Sequence, residues 1–427
     1  MGRSLYVVGA MALSLVSACK RKPEPTSVPV ATSSEPVTSA SAAPPPASAA
    51  PARPVAVTWS ELADVKECNA KAHDLDPALP LGTLGIAARG KDFGVATFFP
   101  TKSKEEAMLA FSGYDGLART VGPSHGLGKA LLFPPRVFPR GKDTWLVVWF
   151  DRDGLAFTKT GWAATLPDVE HLTAVRAEEA PHTSIAMTKN GSMLAAAQLS
   201  PDPAEQIGLF LFAPVDAGAE PVKALGGTHH AHNPEHSTVA EVEGGYLVAW
   251  EDQPGGGKRE IAVTGLDANG KERGNPAVLS SPGKAASRPS MVATKTGALI
   301  AWAEADASPQ TSSIVVAAVD PRGRPSGAPQ VVSAGTAPTL GATPTGAVLG
   351  FVRASGSEPA RAAIVAVDAN GAPHARGVLV SDVAKGKGAI VEHPVLAESE
   401  EGRVGVVYVY ADGMKAQLKT VLATCLQ

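Results

Sequence analysis

The chain has 427 residues, a formal net charge of −3 at pH 7, 5% aromatic residues, 43 glycines and 36 prolines. That length allows a large core or several domains, and the near-balanced charge carries no electrostatic footprint for nucleic acid. Abundant glycine and proline suit many short strands punctuated by turns. Three cysteines, Cys19, Cys68 and Cys425, are too few for a disulfide-rich scaffold and lack zinc-finger spacing.

Residues 1–18 read as a signal peptide. One basic residue, Arg3, precedes an apolar run from Leu5 to Leu15, too short to span ~30 Å of hydrocarbon. Val16-Ser17-Ala18-Cys19 resembles the lipobox of bacterial lipoproteins. The resemblance implies cleavage before Cys19, a diacylglycerol on its thiol and acylation of the new amine. Two or more acyl chains anchor stably where one does not. An ordinary secretory signal with an incidental cysteine is the alternative. Lys20, Arg21 and Lys22 would sit against anionic head groups. The expected address is a bacterial cell envelope, at the outer membrane, on its periplasmic or surface face.

Residues 19–55 continue as a Pro/Ala/Ser-rich tether that cannot bury enough surface to order itself. Its proline-rich part from Pro23 to Pro54, extended at ~3.1 Å per residue, could reach up to about 100 Å. Residues 56–80 are expected to form an N-terminal cap segment. In it, Thr58-Trp59-Ser60-Glu61 has the form of a capping box opening a short helix through about Cys68, and Asp74 to Pro80 reads as loop.

From residue 81 to 427 one pattern recurs about every 50 residues. Its clearest copy is Gly245-Tyr246-Leu247-Val248-Ala249-Trp250-Glu251-Asp252. Relatives surround Trp149, Ala196, Trp302, Phe351 and Tyr408, and a degenerate first copy ends at Thr97. The runs are apolar at successive positions, as in strands covered on both faces. In the copy around Trp302, the sequence predicts strands over 289–293, 298–303, 314–319 and 330–333. Four strands per repeat describe a propeller blade. The expected fold is all-β, a β-propeller of seven four-stranded blades, with six blades and a separate cap next and a pair of β-sandwiches third. The turns Asp267/Gly270, Asp320/Gly323 and Asp368/Gly371 lack the further oxygen ligands of calcium loops and read as tight turns.

The repeat resembles Trp-containing propeller repeats of secreted and lipid-anchored bacterial proteins. It does so through Tyr246–Asp252, then Leu266-Asp267-Ala268-Asn269-Gly270, then a proline opening the next repeat. The resemblance implies fold and envelope location and carries no catalytic residues. With Cys19 lipidated, Cys68 and Cys425 are the remaining thiols in a compartment where disulfides persist, and ring closure would bring them together. We therefore expect them to be joined, with two separate buried thiols as the alternative.

Two constellations could carry chemistry. The first is the histidine-rich loop His229, His230, His232 and His236, which could hold a divalent metal loosely. His232, Glu235 and His236 match H-x-x-E-H, but Pro234 breaks the helix that motif needs. A solvated loop is the default there. The second is a set of basic residues about fourteen positions before the Trp site: Arg136, His182, His236, Arg288 and His393. It is matched by acids two positions after that site: Asp151, Asp252 and Glu304. This set is either a ligand ring at the channel mouth, suited to an anion or a metal-bound ligand, or cross-strand ion pairs such as Arg136–Asp151 and Arg288–Glu304. Neither a phosphate-cradling glycine loop nor a G-x-S-x-G elbow is present.

The expectation is a monomeric, non-catalytic binding or scaffolding module with no cofactor. Its partners would be the membrane, through the lipid, and an envelope protein or glycan. The alternative is a loop-built hydrolase or lyase at the channel mouth, with metal dependence open.

Overall fold

In a computed structural model of the chain, the described residues are 56–75, 84–101, 106–131, 133–141, 144–162, 168–172, 183–199, 206–214, 221–228, 230–306, 312–354, 359–381, 392–410 and 415–427. The signal peptide, Cys19 and the tether lie outside them.

The described residues form an all-β, propeller-like fold of six sheets, five of four strands and one of eight. The repeat pattern becomes antiparallel hairpins that run outward from a first strand. In the fourth group, Glu235–Val242 pairs with Gly245–Asp252, which pairs with Glu260–Asp267, which pairs with Ala277–Val278. Gly245–Asp252 is buried at every position, as its unbroken apolarity requires. Seven strands of the eight-stranded sheet are two such groups sharing Gln330–Thr343, one continuous strand of 14 residues, and the eighth is Thr58–Glu61 at its edge. Its first part pairs with Ser313–Val319 and its second with Gly346–Arg353. The sequence reading starts a new repeat at a proline. The chain instead turns that corner through a bulge at Thr336/Thr339, with Ala337 at a φ of 55°.

The apolar core consists of seven clusters among the described residues, each lying between consecutive four-strand groups. Trp145, Val147 and Trp149 meet Phe98, Leu109 and Phe111 of the first group, and Trp302 and Ile300 meet Leu247 and Ile261 of the fourth. The last cluster closes the ring, packing Val407, Val409 and Leu418 against Phe93 and Val95. Trp149, Trp250, Trp302, Phe351 and Tyr408 are all at most 1% exposed.

The N-terminal segment departs from expectation. Thr58–Glu61 is a strand, paired in parallel with Pro373–Leu379 of the sixth group. Trp59 lies flat against Gly377, where a Cβ would fall 2.4 Å from its ring, and meets Phe351 edge-on at 5.5 Å. Two 3-10 turns follow, Leu62–Asp64 and Lys66–Cys68, in place of the predicted helix. Lys71–Leu75 then pairs with Lys415–Leu422 as the outer strand of the seventh group. The segment is therefore no separate cap, because it completes sheets. Edge strands with unpaired backbone groups gain hydrogen bonds by accepting such additions, which outweighs the weak local capping signal. Cys68 and Cys425 are joined across 357 positions, with Cα atoms 4.8 Å apart.

Candidate functional site

The first strands of the seven groups surround a cavity of about 550 Å³. Register sorts their residues into tiers. Arg136 pairs opposite Val148, Thr238 opposite Ala249, Ser290 opposite Ala301 and Thr339 opposite Gly350. Each opposing residue immediately precedes the Trp-site position of its group, so these four share one tier. Glu241 pairs opposite Tyr246 and Glu398 opposite Val404, each four positions before the Trp site. They define a second tier three residues further along, about 10 Å at ~3.3 Å per residue. The equivalent residues in four other groups are Ala88, Pro139, Ala293 and Ala342. The two glutamates belong to non-consecutive groups and line the same cavity.

Their environments differ. Glu241 accepts the backbone N–H of Lys189 at 2.5 Å. Glu398 is half-buried, and its Oε2 is buried with no hydrogen-bond partner among the described residues. Desolvation raises its pKa above the ordinary glutamate value. Arg136 presents a second contrast. Loss of solvation lowers its pKa, yet its side chain keeps solvent-exposed surface. An arginine stays charged in either case.

Of the expected basic ring, the structure brings part together. His236 and Arg288 both occupy bulges at the entrance of first strands, with φ of 41° and 56°. The backbone of His393 lies at the matching bulge of the seventh group. His182 lies outside the described residues. Arg136 enters its strand without a bulge and lies on the channel wall. The bulge residues serve Glu251, which is 2% exposed. It accepts from His236 Nδ1 at 2.8 Å and from the Arg288 backbone N–H at 2.6 Å. This carboxylate holds two consecutive groups together.

The expected ion pairs are replaced by other contacts. Asp151 pairs with His171 Nε2 at 2.7 Å rather than with Arg136. Glu304 accepts the Trp302 indole N–H at 3.0 Å and the Ser281 backbone N–H at 2.7 Å. Asp252 accepts from the Trp250 indole at 3.0 Å and from the His232 backbone. These acids fasten the indole and the incoming loop, a local role that the repeat spacing disguised as a ring.

The histidine loop does not converge on one point. His230 faces Glu272 at 3.4 Å, His232 faces Asp252 at 3.1 Å and His236 faces Glu251; His229 lies outside the described residues. Among the described residues, the groups with metal-ligand spacing are Glu235/His236/Glu251 and Asp151/Asp153/His171. Among the described residues, His230, His232 and His236 do not form a histidine-only ligand set.

Sequence reasoning missed Glu241, Glu251 and Glu398. In sequence the channel pair is only an acid nine or ten positions before the Trp site in two repeats, where four other repeats carry alanine or proline, and register is what places it on the channel wall.

No family model matches the chain, and no curated protein matches it. Solved structures of similar fold include a Dyadobacter fermentans protein of unknown function (13% identity, 82% of this chain and 99% of that one, TM-score 0.46). A polysaccharide lyase, Uly1, has 9% identity over 79% and 89%, with a TM-score of 0.46. A Penicillium chrysogenum α-L-arabinanase complexed with arabinobiose has 12% identity over 83% and 100%, with a TM-score of 0.42. These neighbours include a lyase and a glycoside hydrolase, against the expectation of a non-catalytic binding or scaffolding module, and that expectation is withdrawn. At such scores they assign no residue and no substrate.

Proposed function

We propose that the chain is a hydrolase or lyase whose reaction centre is the channel tier of Glu241 and Glu398, and that the seven four-strand groups are the blades of one propeller. The observation that carries this reading is Glu398: a carboxyl on a cavity wall, with a buried oxygen that no group among the described residues satisfies and a pKa raised by burial. A buried unsatisfied polar atom destabilises the fold, and at such positions function is the first explanation to test. Two carboxyls in unlike surroundings suit paired acid and base roles. Glu398 gives its proton to the leaving atom. Glu241 takes one from water in hydrolysis, or from a C–H group in elimination. Both sit on strands, so the site is wall-built rather than loop-built.

On the residues around Cys19 we also propose that the domain is lipid-anchored in a bacterial envelope. A divalent ion at Glu235, His236 and Glu251 would lie at the strand entrances, away from the carboxyl tier, so no catalytic step is routed through it.

The test is a survey of the purified chain against chromogenic esters, glycosides and uronate-containing polysaccharides, repeated with Glu398→Gln. We expect turnover of one class, falling at least 100-fold in the variant while its melting point is no lower than that of wild type. Turnover that survives Glu398→Gln would overturn the assignment.

A further inference from the structure

The channel is mostly apolar. Leu84, Val137, Val239, Met291, Leu340 and Leu396 all contribute to its wall. A volume of about 550 Å³ falls in the ~300–1,000 Å³ range of small-molecule sites, which are typically apolar with a few placed polar groups. Here the charged groups are placed at two depths, and Lys189, whose backbone N–H binds Glu241, adds a second cation to the wall. Arg136 stands in one tier, and Glu241 and Glu398 stand about 10 Å along the strands in the other. Among the described residues Arg136 has no ionic or hydrogen-bonding partner, and it keeps exposed surface on the channel wall. Glu241 is held by Lys189 through the backbone N–H, and Asp151, the acid expected to pair with Arg136, is engaged by His171. A guanidinium left without a carboxylate on the wall of an apolar cavity offers a planar two-pronged donor to an anion.

We infer that the channel binds an elongated monoanion, an apolar body with a carboxylate at one end, and that Arg136 takes the carboxylate. The carboxyl tier fixes the orientation. An anionic end is repelled by Glu241 and attracted by Arg136, so the other end of the ligand is delivered to Glu398. The orientation rests on the reading of Glu241 and Glu398 as the reaction centre, whereas the binding does not.

The test uses 4-phenylbutyrate, which has no cleavable bond, and its neutral counterpart 4-phenylbutyramide, titrated calorimetrically into the full chain. We expect the carboxylate to bind at least tenfold more tightly than the amide. That preference should disappear in Arg136→Gln and return in part in Arg136→Lys. Thermal melts of both variants check that the fold is intact. Equal binding of acid and amide, no binding of either at millimolar concentration, or a preference that survives Arg136→Gln would overturn the inference. A preference that depends on Arg136, in a protein whose turnover ignores Glu398, would uphold the anion site and remove only the proposed chemistry.

Discussion

Trp250 and Trp302 each donate an indole N–H to an acid two residues on, Asp252 and Glu304, at 3.0 Å. Each indole is fully buried, so its polar handle needs a partner, and the acid in turn gathers the loop that enters the next strand. Trp250→Ala should cost on the order of 3–5 kcal/mol, measured by denaturant unfolding. A loss below about 1 kcal/mol would place the residue outside the core. Glu398 works against stability. Its folded pKa lies above the unfolded one, so the fold favours the protonated form. Stability is undiminished below the unfolded value of about 4.3 and falls as pH rises through the window up to the folded value. Glu398→Gln should therefore melt higher than wild type at neutral pH, with the gain vanishing near pH 4. A lower melting point at neutral pH would mean that the carboxylate has a partner. The tryptophans were legible in the sequence because size and spacing mark them. Glu398 was not, because a single acid at a strand end looks like any surface residue until register puts it on the channel wall.

At the level of elements, one turn recurs. In Asp267–Gly270, Asp320–Gly323 and Asp368–Gly371 the glycine N–H donates to the aspartate carbonyl, and the carboxylate accepts two further backbone N–H groups. The glycines have φ of 78°, 79° and 84°, where other residues are strained. Asp115 builds the same turn with Ala118 at a φ of 58°, a copy that the sequence hid because glycine is missing. Backbone donors from Lys271 and Asn269 lower the pKa of Asp267. Its contribution is thus present above the ordinary aspartate value of ~3.9 and is lost as pH falls toward the lowered folded one. The melting advantage of wild type over Asp267→Asn should shrink across that window, and a constant difference down to pH 2 would refute the sign. The N-terminal strands are held differently. Arg361 forms a two-pronged pair with Glu61, one contact at 2.6 Å, and the disulfide ties Cys68 to Cys425. Closing so long a loop stabilises by on the order of 5 kcal/mol as an upper figure. Cys68→Ser should lower stability measurably, and reductant should then have no further effect on that variant. No change on substitution would show that strand pairing alone closes the ring.

For the whole molecule, closure is what makes the site. Phe93 and Val95 of the first group meet Val407 and Leu418 of the last, and Lys71–Leu75 completes the seventh group from the opposite end of the described chain. The repeat period made that ring legible, since each apolar strand demands a neighbour on both faces. It could not show that Thr58–Glu61 and Lys71–Leu75 would be strands, because their register is supplied by edges hundreds of residues away. Nor could it rank Glu241 and Glu398 above the matched acids near the Trp sites, because their shared place on one cavity wall exists only once the first strands surround it. The most direct measurement is the pH dependence of kcat/KM for whichever substrate class the chain turns over. Glu241 must be ionised and Glu398 protonated, so we expect a bell whose descending limb lies above the ordinary glutamate value of ~4.3. Activity that only rises with pH and stays full through pH 9 would contradict a protonated Glu398 as the working group.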